Sequence, residues 1–324
     1  MPALLLFVAS AALVIASGAY LARYGDVLAA RLGWGRVWVG TILVSVATSL
    51  PELLTNITVA TRDQPDLAGG DILGSNMVNM LVLASVALLF GGRRFFHQVV
   101  PEQRWLVLAA LSLTALAIVL IALPIGLDVV SVGLSSVLIL GTYLGAMRLV
   151  YVALPTSQPV EDAADGLPSL RKAWTLFGLA SLGVVVAAPW LAFSVEEIAE
   201  ITGLATSFLG VIAIAMVTSM PEVSTSVAAI RLGASDLAFG NLYGSCAFNI
   251  LILALADPFY REGVLVEALG REHIAAGLIA VLLMALGLAQ VMARARVREA
   301  LSNAGLAVMV PVYVAGVYLV FVLA

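Results

Sequence analysis

Charge is scarce in this chain. Only 11% of its 324 residues are Asp, Glu, Lys or Arg, against about 25% in average soluble domains. Hydrophobic residues make up 62%, where about 45–50% is usual. A soluble fold of this size could not hide so much apolar surface, so lipid is its natural solvent. Cysteine occurs once, as Cys246 in an apolar segment, which excludes an intramolecular disulfide and leaves the compartment open. Histidine occurs twice, and neither His97 nor His273 has partners at metal-ligand spacing along the chain. No long basic or low-complexity run points to nucleic acid, and the net charge of −4 says little about partners.

Apolar runs fill most of what is there. A bilayer-spanning helix needs roughly 20 such residues. Ten segments qualify, near 3–22, 36–60, 68–91, 104–123, 129–152, 171–193, 204–230, 236–257, 272–293 and 302–323. No Lys or Arg precedes the first, so it reads as a membrane helix rather than a signal peptide. The one long polar break is 155–170, "PTSQPVEDAADGLPSL". It divides the chain into 1–154 and 171–324. With the N-terminus outside, 13 of the 16 basic residues fall in inner loops; Arg62, Arg261 and Arg271 alone fall outside. That bias predicts both termini outside and the 155–170 linker in the cytoplasm of a cell with this chain in its inner (plasma) membrane.

The sequence repeats itself at an offset of 170 residues. Thr48, Ser49, Pro51 and Glu52 fall on Thr218, Ser219, Pro221 and Glu222. Without a gap, Asp66 meets Asp236, Gly70 meets Gly240, Gly74 and Ser75 meet Gly244 and Ser245, and Asn79 meets Asn249. Five spans separate the copies. An odd number reverses direction, so the expected fold is an all-α membrane protein of ten transmembrane helices in two inverted five-helix repeats, an architecture of secondary transporters.

Each copy puts a proline and a carboxylate inside an apolar span. Pro51 lacks an N–H and crowds the carbonyl of residue 47, so the helix should break near 47–51, and likewise at Pro221. In lipid such a break is tolerated where the freed backbone lines a cavity or is re-satisfied. The first half-helix should end in free carbonyls, from Ser45 to Ala47, whose partial negative charge suits a cation. The second begins near Pro51, and its positive end favours ionised Glu52. Thr48 and Glu52 share a face, as do Ser75 and Asn79. Gly70 and Gly74 would let two backbones approach closely. The donors are all oxygens, which suit hard cations such as calcium and sodium and not zinc or copper. Two glutamates balance one divalent or two monovalent cations, a physical basis for exchange.

Blander readings attach to some residues. Asp66 and Asp236 sit where helices begin and read as N-caps. Asp71 has Asn241 as its mate, which argues against a shared ionic role. Glu196, Glu197 and Glu200 read as a solvated outer loop. An intramembrane enzyme is disfavoured: the chain has no GxGD-like pair, no D-D-x-x-D run and no intramembrane nucleophile with a base. A passive channel fits deep paired carboxylates on inverted repeats less well than a carrier does. A cation/proton antiporter using the same carboxylates stays open, since desolvation lets buried carboxylates take up protons.

The stretches "GTILVSVATSLPELL" with "GDILGSNMVN", and "GVIAIAMVTSMPEVS" with "GNLYGSCAFN", resemble the two alpha repeats of the calcium/cation antiporter superfamily. They are most similar to the sodium/calcium exchanger family, of prokaryotic type. The resemblance implies an alternating-access antiporter moving calcium against sodium, driving calcium efflux, with no cofactor. Glu52 and Glu222 would be the central ligands. Thr48, Thr218, Ser49, Ser219, Ser75 and Ser245 would supply oxygens around them. Backbone carbonyls near Ser45 and Ala215 would help bind sodium, and Asn79 and Asn249 would complete the cluster. Proton-coupled relatives carry a G-N-x-x-E type motif and potassium-dependent ones an aspartate at the position of Asn249, so sodium coupling is implied. The first and sixth spans would slide past the core. Cys246 departs from the asparagine at the matching Asn76. A large cytoplasmic regulatory domain is absent from the pattern, so regulation through one is not expected.

Overall fold

A computed structural model describes residues 2–129, 132–153, 167–202, 216–293 and 298–323. The chain is almost entirely helical over these residues. α1 is Pro2–Leu32, α2 Gly35–Thr48, α3 Leu50–Ala60, α4 Pro65–Leu89, α5 Arg93–Gln98 and α6 Arg104–Ala122. α7 is Leu134–Ala153, α8 Leu170–Thr202, α9 Met220–Arg231, α10 Ser235–Ala256, α11 Arg271–Ala293 and α12 Glu299–Leu323. Among the described residues, eight helices are long and apolar enough to cross a membrane, and the bent pair α2–α3 makes a ninth candidate. The span predicted at 204–230 falls partly on residues 203–215, outside the described residues.

Several boundaries differ from the sequence expectation. α1 runs on to Leu32 rather than ending near residue 22, and stops at Gly33, whose φ of 66° ends an α-helix without a Cβ clash. α8 passes through Pro189 and continues to Thr202, so Glu196, Glu197 and Glu200 continue a helix rather than occupying a loop. The span expected from 129 begins instead with a two-stranded antiparallel ribbon, β1 Asp128–Val129 and β2 Val132–Gly133. The Asp257 carboxylate holds β2 and the start of α7 by accepting the Gly133 N–H (2.7 Å) and the Ser136 hydroxyl (2.8 Å), and it also accepts the Leu265 N–H (2.6 Å).

The helices group into two compact units, each drawing on both halves of the sequence. The first comprises 1–51, 98–100 and 154–244. In it α1 packs along α8 and against α9. Leu21, Leu28, Val39, Phe177 and Val184 are among its buried apolar side chains. Arg31 donates to the carbonyls of Leu167 (2.7 Å) and Pro168 (3.2 Å), holding the start of α8. The second unit comprises 52–97, 101–153 and 245–324. There α11 packs against α4, α6 and α12, and α12 also lies on α4.

Side-chain exposure follows the same logic. Leu4, Leu5 and Ile15 on α1, Leu182, Trp190 and Phe193 on α8, and Val308, Tyr318 and Val322 on α12 are exposed. In water this would be a liability; against lipid it is neutral. In contrast, every residue from 237 to 254 of α10 is buried. The two helices that carry the second part of each repeat, α4 and α10, are the most enclosed of the candidate spans.

Candidate functional site

The predicted break is present. Ser49 separates α2 from α3 with φ −96° and ψ 10°, and the two pieces meet at 45°. Its repeat mate Ser219 precedes α9 with φ −84° and ψ 10°. The same non-helical backbone therefore recurs at the same point of both copies. Pro51 and Pro221 follow in the first turns of α3 and α9, where the missing N–H costs no hydrogen bond. Glu52 and Glu222 occupy those same first turns, at the partly positive ends of the helices. Both are buried, at 4% and 1% exposure. Before the break, Val39–Val44 is a wider π-helical turn, which the sequence did not suggest.

One expected feature differs. The Ser45 carbonyl is not free: it accepts the Ser49 N–H at 3.0 Å and is 3.1 Å from the Thr48 hydroxyl. Thr48 has a second acceptor, Asn241 Oδ1, also at 3.1 Å. Its one proton serves one of them at a time. When it turns to Asn241, a lone pair of the Ser45 carbonyl becomes available.

In the first unit, Ser49 donates to Glu222 Oε1 at 3.2 Å. Asn241 Nδ2 donates to Ser226 Oγ at 3.2 Å. Ser219 Oγ and Thr225 Oγ1 are buried with no hydrogen-bond partner among the described residues. Thr218 is half-buried in the turn preceding Ser219. α2 and α10 approach backbone to backbone here. A Cβ on Gly244 would stand 2.6 Å from the Thr41 carbonyl oxygen, and one on Gly240 2.9 Å from that of Val37. Gly70 and Gly74, singled out from the sequence for close approach, have no described atom within 4 Å of such a Cβ. The repeat mate of residues 33–45 is 203–215, outside the described residues, and the Ala215 carbonyl lies there too.

In the second unit, Asn56 stands one turn beyond Glu52 and donates to the Glu52 carbonyl (2.8 Å) and to Asp71 Oδ2 (2.6 Å). Ser75 and Asn79 on α4, and Ser245 and Asn249 on α10, are all buried. Asn76 Nδ2 donates to the Cys246 carbonyl at 3.2 Å, and Asn249 Nδ2 to Asn76 Oδ1 at 3.0 Å. The carbonyl oxygens of Asn79 and Asn249 are buried with no hydrogen-bond partner among the described residues. A buried acceptor left alone costs about 1–3 kcal/mol. Such buried oxygens on enclosed helices are what a dehydrated cation would satisfy.

A family model described as sodium/calcium exchanger protein matches residues 2–152 and 172–324. The chain belongs to the sodium/calcium exchanger family. Among curated relatives, inner membrane protein YrbG of Escherichia coli is 29% identical over 262 residues, 74% of each chain. CaxA of Alkalimonas amylolytica is 31% identical over 274 residues, 81% of this chain and 82% of its own. The sodium/calcium exchanger MaX1 of Methanosarcina acetivorans is 23% identical over 280 residues, covering 76% and 79%. The fold matches that of the sodium–calcium exchanger NCX_Mj with a TM-score of 0.71 at 20% identity, covering 95% of this chain and 98% of that one. As a family member the chain is an integral membrane cation antiporter and not an enzyme.

Several polar residues of this exchanger gain from the structure a role that the sequence alone does not assign. Asn56 and Asp71 pair in one copy; their mates at the 170 offset, Ser226 and Asn241, pair in the other. The signal was available, because the repeat continues without a gap through both positions. Asn76, the mate of Cys246, joins α4 to α10 through two hydrogen bonds. Asp66 is not an N-cap: α4 starts after Gln64, whose side chain makes no cap bond, and Asp66 lies inside the first turn. Asp236, in the first turn of α10, instead accepts the Val100 N–H at 2.8 Å.

Proposed function

We propose that this exchanger moves calcium out of the cell against sodium by alternating access, with Glu52 and Glu222 as shared ligands of one dehydrated ion. The observation that carries the reading is the duplicated break, in which Ser49 and Ser219 share one backbone geometry and each precedes a buried glutamate at a helix start. Thr48, Thr218, Ser49, Ser219, Ser75, Ser245, Asn79 and Asn249, with the carbonyls of Ser45 and Ala215, would supply the remaining oxygens. Empty, such a site leaves two carboxylates desolvated and mutually repelling. That disfavours the ion-free carrier and supports exchange over leak.

The same reading has ten spans in inverted halves 1–154 and 171–324, joined by a cytoplasmic linker 155–170, with both termini outside the inner membrane. Contacts between repeat mates support it. Asn76 meets Cys246, and Thr114 Oγ1 lies 4.0 Å from Met284 Sδ, each pair 170 residues apart. Such self-meeting is expected along a pseudo-two-fold axis. α1 and α8, the candidates for sliding elements, pack on each other within one unit.

Proton coupling is the second reading, and Asp71 favours it. A third intramembrane carboxylate, hydrogen-bonded through Asn56 to the turn that carries Glu52, is a group that could carry a proton. Calcium-45 uptake into proteoliposomes preloaded with sodium, potassium or protons separates the two. Sodium-driven uptake that survives collapse of the proton gradient is the expected result. Uptake driven only by protons would overturn the sodium assignment.

A further inference from the structure

α4 opens with Pro65 and Asp66, and α11 with Arg271, Glu272 and His273. A carboxylate oxygen of Asp66, one of Glu272 and a ring nitrogen of His273 all lie within 4.8 Å of one another. Spacing along the chain hid this group, since Asp66 and His273 stand 207 residues apart. His273 is buried, Glu272 half-buried and Asp66 exposed. Two glycines make room for the donors. A Cβ on Gly69 would stand 2.5 Å from His273 Cδ2, and one on Gly270 would stand 2.2 Å from Glu272 Oε1.

The hydrogen bonds fix the ring. His273 Nε2 lies 3.0 Å from the backbone carbonyl oxygen of Asp66, which can only accept, so Nε2 carries a hydrogen. In the neutral ring Nδ1 then holds a lone pair, and it faces Glu272 Oε1 at 3.0 Å. Two electron-rich atoms at that separation repel unless a proton on Nδ1 or a metal ion lies between them. The Gly270 N–H, 3.1 Å from Nδ1, donates to that lone pair and leaves the carboxylate uncompensated; a bound ion would take its place. An imidazole whose far N–H is held by a backbone carbonyl is the usual arrangement of a metal-ligating histidine.

We infer that Asp66, Glu272 and His273 form a binding site for a divalent transition-metal ion, separate from the transport residues. An imidazole with carboxylates suits zinc, cobalt, nickel or manganese better than calcium. With metal–ligand bonds of about 2.0–2.2 Å, the donors of one ion stand roughly 3.3 Å apart. His273 and Glu272 already meet that spacing, and exposed Asp66 is the ligand that turns in. The bound ion ties the first turn of α4, the helix of Ser75, Asn76 and Asn79, to the first turn of α11.

The test uses the purified full chain in detergent with calcium in excess. Cobalt(II) is titrated in, with visible d–d absorption and equilibrium dialysis as readouts. One cobalt per chain is expected. Asp66→Asn and Glu272→Gln should each weaken binding at least about tenfold, with thermal melts showing both variants folded, and His273→Gln should abolish the absorption band. Glu52→Gln and Glu222→Gln should bind cobalt as the unsubstituted chain does, whatever they do to transport. Absence of saturable cobalt binding, equal binding in Asp66→Asn and Glu272→Gln, or loss of binding in Glu52→Gln would each overturn the site.

Discussion

A carboxylate at the start of a helix is favoured in its ionised form, and one buried there is held ready for a cation. Glu222 takes a hydrogen bond from Ser49, a residue of the other repeat. Ser49→Ala removes it, and a hydrogen bond to a charged group contributes about 1.5–3 kcal/mol. Calcium affinity should fall roughly tenfold or more while the thermal midpoint stays near its original value; unchanged affinity by calorimetry would remove Ser49 from the site. Asn249→Asp adds charge beside the Asn76 amide. It should alter the order of preference among calcium, sodium and potassium in competition assays, and identical selectivity would place the position outside the cluster. At this scale the paired T-S-x-P-E signature was legible because proline and glutamate are conspicuous in apolar segments. Asn56 and Ser226 carry no such signal, and the mismatch of Asp71 with Asn241 argues against a shared role for that pair. Small polar residues are common in membrane helices, and their meaning emerged only from which of them touch.

The break at Ser49 was foreseen from the chemistry of proline. The π-helical turn at Val39–Val44 was not, because no residue type in "VGTILV" demands it. Helix ends were misjudged where polar residues merely prolong a span, as at Arg23 and Arg31 on α1. Close approach, expected at Gly70 and Gly74, is seen instead at their second-copy mates Gly240 and Gly244, which have described backbone against them. Gly244→Ala would press a methyl group against the Thr41 carbonyl, a backbone atom that cannot swing aside. Overpacking of this kind costs about 1–3 kcal/mol. Thermal melts should show a lower midpoint, and transport should fall as α2 shifts. A midpoint equal to that of the unsubstituted chain would mean the α2–α10 contact is looser than described.

For the whole molecule, composition and the run of apolar segments made the membrane class legible, and the 170-residue offset made the duplication legible. The grouping into compact units was not, because each unit combines elements distant in the chain. Orientation rests on the distribution of arginines. With Ser157 replaced by cysteine, a membrane-impermeant maleimide should label inverted vesicles and not right-side-out cells. Cys246 is buried and should stay silent in both. Labelling from outside would reverse the topology. The central claim is that Glu52 and Glu222 jointly hold one ion. Calcium binding to the purified exchanger tests it most directly. The account predicts one calcium per chain, lost alike in Glu52→Gln and in Glu222→Gln and competed by sodium. Full-affinity calcium binding in either single variant would contradict it.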